Sequence, residues 1–320
     1  MVSRRTSGSS AESVESRGHA VVSPTSSTST ERRVRYGISV PNFGEYCDVR
    51  AAAALAADAE RAGWDGFFVG DHLVFDKRSA IPVADPWILL TAAALATTSI
   101  ALGPMVTPIP RRRPWKLARE TVTLDRLSGG RLMLGVGLGD PPDAEFGLFG
   151  EPTSSRTRAE MLDEGLEILV RLWSGERSSF SGRHYRLDDV AFAPTPVRGP
   201  RIPIVVGFSW PGRAGMRRAS HYDGAFPIKL DDGHLVPLSA SDVRDLLDFV
   251  GERRPGNTFE VMVGGQTDDP GSQRAQELIA SLGEAGMTWW IEFITPMRGE
   301  ISDIRDRIQS GTLLPHTHWE

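Results

Sequence analysis

The pair Asp71-His72 directly follows a short apolar run, "GFFVG" at 66–70. An imidazole at the end of such a run can act as a general base or as a hydrogen-bond donor to a cofactor or substrate; a histidine packed under a neighbouring turn is the plainer alternative. Gly135, Gly137 and Gly139 alternate with other residues at the end of a second run. Missing side chains let a flat ring or a phosphate approach the backbone, although glycine also serves simply to turn a chain. Met105, Val106 and Thr107 end a third run, where the Thr107 hydroxyl could fix the edge of such a ring. In "VVGFSWPGR" at 205–213 an apolar run leads through Gly207, Phe208 and Ser209 into a helix start. Backbone N–H groups at a helix N-terminus suit an anion, and Ser209 and Arg213 could add contacts to a phosphate; an ordinary cap with a solvated arginine is the alternative.

Three further features carry chemistry more ambiguously. Asn42 ends the first apolar run and could touch substrate or close an Asx-turn into "NFGE". Glu292 shares a face with Trp290 and Ile294 by the two-residue period of a strand. A carboxylate among such neighbours needs a partner, either an arginine in a structural ion pair or a substrate at the mouth of the fold. Arg111, Arg112 and Arg113 read as a clamp for an acidic cofactor tail or anionic substrate, or, for at least two of them, as a solvated run. His72, Asn42 and Glu292 are therefore the catalytic candidates.

Strands and helices alternate along the chain. Runs rich in β-branched, aromatic and glycine residues at 34–40, 66–70, 100–106, 131–137, 202–207, 224–228, 258–265 and 288–294 read as eight strands. Helical patterns follow at 49–62, 86–98, 114–128, 156–173, 211–220, 239–253, 271–285 and 297–309. Asp85-Pro86 supplies a cap and a first-turn proline, and Ser239 or Ser241 caps a later helix. A small hairpin is expected at 178–187. Successive βα units require parallel strands. Eight of them predict a single (β/α)8 TIM barrel over 33–320, preceded by a disordered Ser/Thr-rich tail at 1–32; an open doubly wound sheet is the alternative. No helix reads as hydrophobic all round. Active sites of such barrels lie at the C-terminal ends of the strands, where the residues above are found.

Composition narrows the classes. The 320 residues carry a net charge of −5, which leaves no basic face for nucleic acid. The single cysteine, Cys47, excludes an internal disulfide and a cysteine-rich metal site. No stretch is long and apolar enough to span a bilayer, and 1–31 has no apolar core of a secretory signal, so a cytoplasmic location is expected. A metal-dependent barrel hydrolase would need several histidines at strand ends, and only His72 stands at one.

The string "TVTLDRLSGGRLMLGVGLGD" at 121–140 closely resembles the luciferase-like monooxygenase family of flavin-dependent and coenzyme F420-dependent oxidoreductases. Segments similar to that family also lie at 63–72, 85–108 and 203–226, in the same order; beyond Lys229 the likeness is one of architecture. The resemblance implies a bound deazaflavin (F420) or FMN, a small organic substrate, a dimer or larger homo-oligomer, and a separate flavin or F420 reductase as a possible partner. It also implies a ring-supporting bulge in the third strand. Family members often have a second glycine where Phe208 stands, which bears on how closely a phosphate can approach there. The deazaflavin branch is favoured by the connection at 108–114 and by the lack of a long insertion near the seventh strand. Hydride transfer or monooxygenation is then the expected reaction, and a non-catalytic flavin- or deazaflavin-binding barrel the alternative.

Overall fold

The computed structural model describes residues 33–74, 78, 80–253, 258–267, 272–295 and 298–311. The tail expected at 1–32 lies outside them. Elements follow in the order β1 (Arg35–Val40), α1 (Val49–Arg61), β2 (Gly66–Val69), α2 (Pro86–Ala96), β3 (Ala101–Pro104), β4 (Thr107–Pro108), α3 (Pro114–Leu127), β5 (Leu134–Gly137), α4 (Pro142–Glu145) and α5 (Ser155–Trp173). Then come β6 (Ser178–Ser181), β7 (Arg186–Val190), β8 (Ile204–Ser209), α6 (Arg213–Ala219), β9 (Gly224–Asp231), β10 (His234–Val236), α7 (Ala240–Gly251), β11 (Glu260–Gly265), α8 (Gln273–Glu284), β12 (Trp289–Phe293) and α9 (Ile301–Gln309).

The strands pair in the order β3-β2-β1-β12-β11-β9-β8-β5-β4, and every neighbour along this path is parallel. The two ends meet, because β3 and β4 are parts of one stave: β4 pairs with β5, and Leu102 bridges Leu132. The result is a TIM barrel of eight staves. At this seam a side chain on Gly103 would collide with the carbonyl oxygen of Met133, and one on Gly135 with that of Pro104.

Alternation along the strands divides the core. Phe68, Met105, Val205, Phe226, Met262, Trp289 and Ile291 fill the lumen, while Phe67, Val69, Val206 and Trp290 face the helices. A lumen residue as large as Phe68, fully buried, contributes roughly 1.5–3 kcal/mol by leaving water. Arg35, stacked 4.4 Å over Trp289 and paired with Glu260, closes the lumen at the N-terminal ends of the strands.

Capping is as expected for α2, where the Asp85 side chain accepts from the N–H groups of Trp87 and Ile88. Ser239 rather than Ser241 caps α7, in a capping box with Asp242. The hairpin expected at 178–187 is present as β6 and β7. One feature answers the bulge that the resemblance implies in the third strand, and two differ from the sequence reading. The third stave is broken between Pro104 and Thr107, with a cis peptide joining Met105 to Val106. The sixth stave, β9, runs three residues beyond 228 to Asp231 and folds back as an antiparallel hairpin with β10. Helix α2, "PWILLTAAALA", is apolar on its exposed face too, where Ile88 and Leu95 stand in water.

Candidate functional site

Asp71 and His72 leave the end of β2 side by side, and a buried ion network forms around them. Thr107 Oγ1 donates to Asp71 Oδ2 at 2.5 Å. Arg112 reaches the same oxygen at 2.7 Å and also donates to Thr107 Oγ1 at 2.9 Å. Arg111 donates to Asp71 Oδ1 at 2.5 Å and to the Asp71 carbonyl at 2.8 Å, and its other terminal nitrogen pairs with Glu145 Oε2. Glu145 completes the chain: its Oε1 lies 3.1 Å from His72 Nδ1, and its Oε2 accepts the Leu73 N–H at 2.9 Å.

The side chains of Asp71 and Glu145 are each only 1% exposed, so their charges require partners. Two guanidinium groups supply them, leaving these four groups neutral in sum. Burial by itself would raise the Glu145 pKa. The hydrogen bonds from His72 and Leu73 and the charge of Arg111 outweigh it and hold the carboxyl below its ordinary value. A carboxylate only accepts, so His72 Nδ1 carries the proton of this hydrogen bond. The imidazole is thereby fixed from below and remains 31% exposed at the rim, with Phe43 edge-on at 5.8 Å.

The glycines have a different use from an open slot. A Cβ on Gly137 would stand 2.8 Å from Val106 Cγ2, and one on Gly207 2.9 Å from Val106 Cγ1. Val106 thus sits as a wedge between β5 and β8, its side chain occupying the space these glycines leave. Gly139 adopts a positive φ of 84°, and a side chain there would meet the ring of Phe146. Met105 is buried in the lumen below, beside Gly135. Thr107 is fully buried and its hydroxyl is engaged by Asp71 and Arg112, so it is not presented to a ring edge.

Other sequence candidates are placed elsewhere. Asn42 is fully buried: its amide nitrogen donates to the carbonyls of His72 and Ala84, and its oxygen accepts the His72 N–H. It ties the His72 backbone down instead of facing substrate or forming an Asx-turn. Glu292 lies on the helix-facing side of β12, bonded to Trp290, Thr267 and Arg298 (2.6 Å) and to Arg307. It is a structural ion pair, separate from His72. Phe208 fills the space above Gly215 in α6. Arg213 turns outward to stack 5.4 Å from Phe249, in a cleft of about 450 Å³ also lined by Asp245, Asp248 and Glu252. Carboxylates oppose a phosphate there, and α6 has only seven residues. Ser209 is exposed at the end of β8.

Arg111 and Arg112 are neither a solvated run nor a free anion clamp, because Asp71 and Glu145 occupy them. Glu145 itself was missed. In "PPDAEF" it reads as an ordinary helix carboxylate, and nothing local signals that it meets a residue 73 positions earlier.

The chain is 33% identical over 190 residues to the F420-dependent hydroxymycolic acid dehydrogenase of Mycobacterium tuberculosis, covering 58% of this chain and 51% of that protein. It is 33% identical over 183 residues to the F420-dependent glucose-6-phosphate dehydrogenase of Nakamurella multipartita, covering 56% and 51%. The chain thus spans about half the length of these curated relatives. Among solved structures, an F420-dependent secondary alcohol dehydrogenase superposes with a TM-score of 0.70 at 18% identity, over 88% of this chain and 100% of that one, which establishes likeness of fold. The family model described as luciferase-like monooxygenase matches residues 25–266, and the chain belongs to that family.

Proposed function

We propose that this protein is a coenzyme F420-dependent oxidoreductase of a small organic substrate. The observation that carries the reading is the rim itself: His72, held by Glu145, stands at the end of β2, and the Val106 wedge of the next stave lies between Gly137 of β5 and Gly207 of β8. This rim fits a flat ring, because a part-exposed apolar side chain backed by glycines offers a face, while an imidazole offers a hydrogen bond at its edge. Val106, Gly137, Gly139 and Gly207 would hold the ring, with Met105, Thr107 and Gly135 supporting them from beneath, and Ser209 would meet the cofactor tail. When bound, the deazaflavin supplies hydride transfer. His72 holds or receives a proton at Nε2 during it, in the orientation that Glu145 imposes.

Titration of the purified protein with F420 and with FMN, each followed by absorbance, tests this. Saturable binding of F420, weakened in Val106→Asp, is expected. Binding and turnover with FMN alone would overturn it in favour of an oxygenating flavoprotein, and cofactor binding without any turnover would favour a non-catalytic barrel. A separate reductase that recharges the cofactor and a cytoplasmic location belong to the same proposal. Among the described residues no helix is long and apolar enough to cross a membrane. A homodimer through α2 is supported by the exposed Ile88 and Leu95, one helical face seven residues apart.

A further inference from the structure

Exposed apolar side chains stand beyond the Val106 wedge at the mouth of the barrel. Along β9, Phe226 and Ile228 pack in or against the lumen, while Lys229 faces outward and reaches Asp242 of α7 at 2.6 Å. By the strand's alternation Leu230 shares the inner face with Ile228, one step beyond the rim. The hairpin pairs Leu230 directly with Leu235 of β10, so both side chains stand on that face. Leu230 is 61% exposed and Leu235 38% exposed. In the ring of eight staves β9 lies four places from β2, directly across the mouth from His72. Leu73 beside His72, and Leu148 with Phe149 in the 3-10 turn after α4, are exposed as well.

Among the described residues, four cationic groups at the strand ends are engaged by carboxylates. Arg111 and Arg112 are held by Asp71 and Glu145, Lys229 by Asp242, and Arg298 by Glu292. An anionic substrate that used any of these four would have to draw it away from a carboxylate, leaving that charge unpaired.

We infer that the substrate is an uncharged molecule with an apolar body, such as a long-chain alcohol or ketone, seated against Leu230 and Leu235 with its oxygen toward His72. The inference rests on the reading of this mouth as the active site.

Calorimetric titration with 2-decanone and with glucose 6-phosphate tests it, without turnover. Saturable binding of 2-decanone is expected, weakened about tenfold or more in Leu230→Asp and in Leu235→Asp, because each change replaces apolar contact by a charge. Both positions are exposed, so the variants should fold, and circular dichroism checks that they do. Tighter binding of glucose 6-phosphate than of 2-decanone, or 2-decanone affinity unchanged in both variants, overturns the proposal. F420 is titrated separately. If F420 fails to bind while 2-decanone still depends on Leu230, the redox reading falls and the apolar site stands.

Discussion

His72 Nδ1 and Glu145 Oε1 lie 3.1 Å apart, although His72 follows β2, Glu145 closes α4, and the two are separated by 73 positions. The contact orients the part-exposed His72 imidazole at the rim. It also places a carboxylate that is itself clamped by Arg111, so the pair is held from two sides.

Removing that carboxylate should separate positioning from folding. Glu145→Ala leaves Arg111 buried beside Asp71 alone, and is expected to cost roughly 3–5 kcal/mol of stability, the usual loss on breaking a buried pair. Glu145→Gln keeps the shape and should cost less, while lowering kcat about tenfold or more with little change in KM. Equal activity of Glu145→Gln and the natural protein, by steady-state kinetics, would show that the contact has no bearing on the reaction.

The Val106 wedge predicts a rescue. Gly207→Ala drives a Cβ to 2.9 Å from Val106 Cγ1, and overpacking of this kind costs typically 1–3 kcal/mol. Val106→Ala removes the obstructing methyl groups. Urea denaturation of the double variant should then show Gly207→Ala to be less costly than in the Val106 background. Additive effects would mean that the glycine is needed for something other than this contact.

Acid stability should report two carboxylates. Burial pushes Glu60 upward, but the N–H groups of Ser99, Ile100 and Thr98 that it accepts hold it at about 2, from an ordinary 4.5. Glu145 is likewise held low. A carboxyl with a depressed folded-state pKa contributes stability that is complete above its unfolded pKa and is lost as pH falls through the folded value. For Glu60 the loss therefore runs from about pH 4.5 down to about 2. Glu60→Gln should destabilise at pH 7 by on the order of 2 kcal/mol after solvent screening. It should also flatten the dependence of stability on pH within that window, as thermal unfolding across the range would register.

The outer face of α2 should govern assembly. Leu95 is 71% exposed and Ile88 56%. Leu95→Asp is expected to shift the protein from dimer to monomer by sedimentation, with its circular dichroism unchanged. A monomeric natural protein would refute the assignment of this face.

Much of the fold was legible locally. Strand and helix positions followed from period-2 and period-3.6 patterns, and the Asp85-Pro86 start of α2 from cap chemistry, because each is a property of neighbouring residues. His72 at the end of β2 and the glycines at the ends of β5 and β8 were likewise visible as residues at strand ends. Their purpose was only half visible: Gly137 and Gly207 do leave space, but Val106 from another stave occupies it.

What tertiary structure alone decided was which polar groups remain available. In sequence, Thr107, Asn42, Arg111, Arg112 and Glu292 are equally able to meet a ligand. Folding spends the first four on the supports of the rim around Asp71, His72 and Glu145, and the last on Arg298 and Arg307. The reason is electrostatic: a charge or amide taken out of water must find its partner among groups the fold brings near, and for Asn42, Thr107, Arg111 and Arg112 the partners Asp71, His72, Ala84 and Glu145 lie 30 to 42 residues away along the chain. Barrel closure likewise set Leu230 across from His72, a relation that no local pattern encodes.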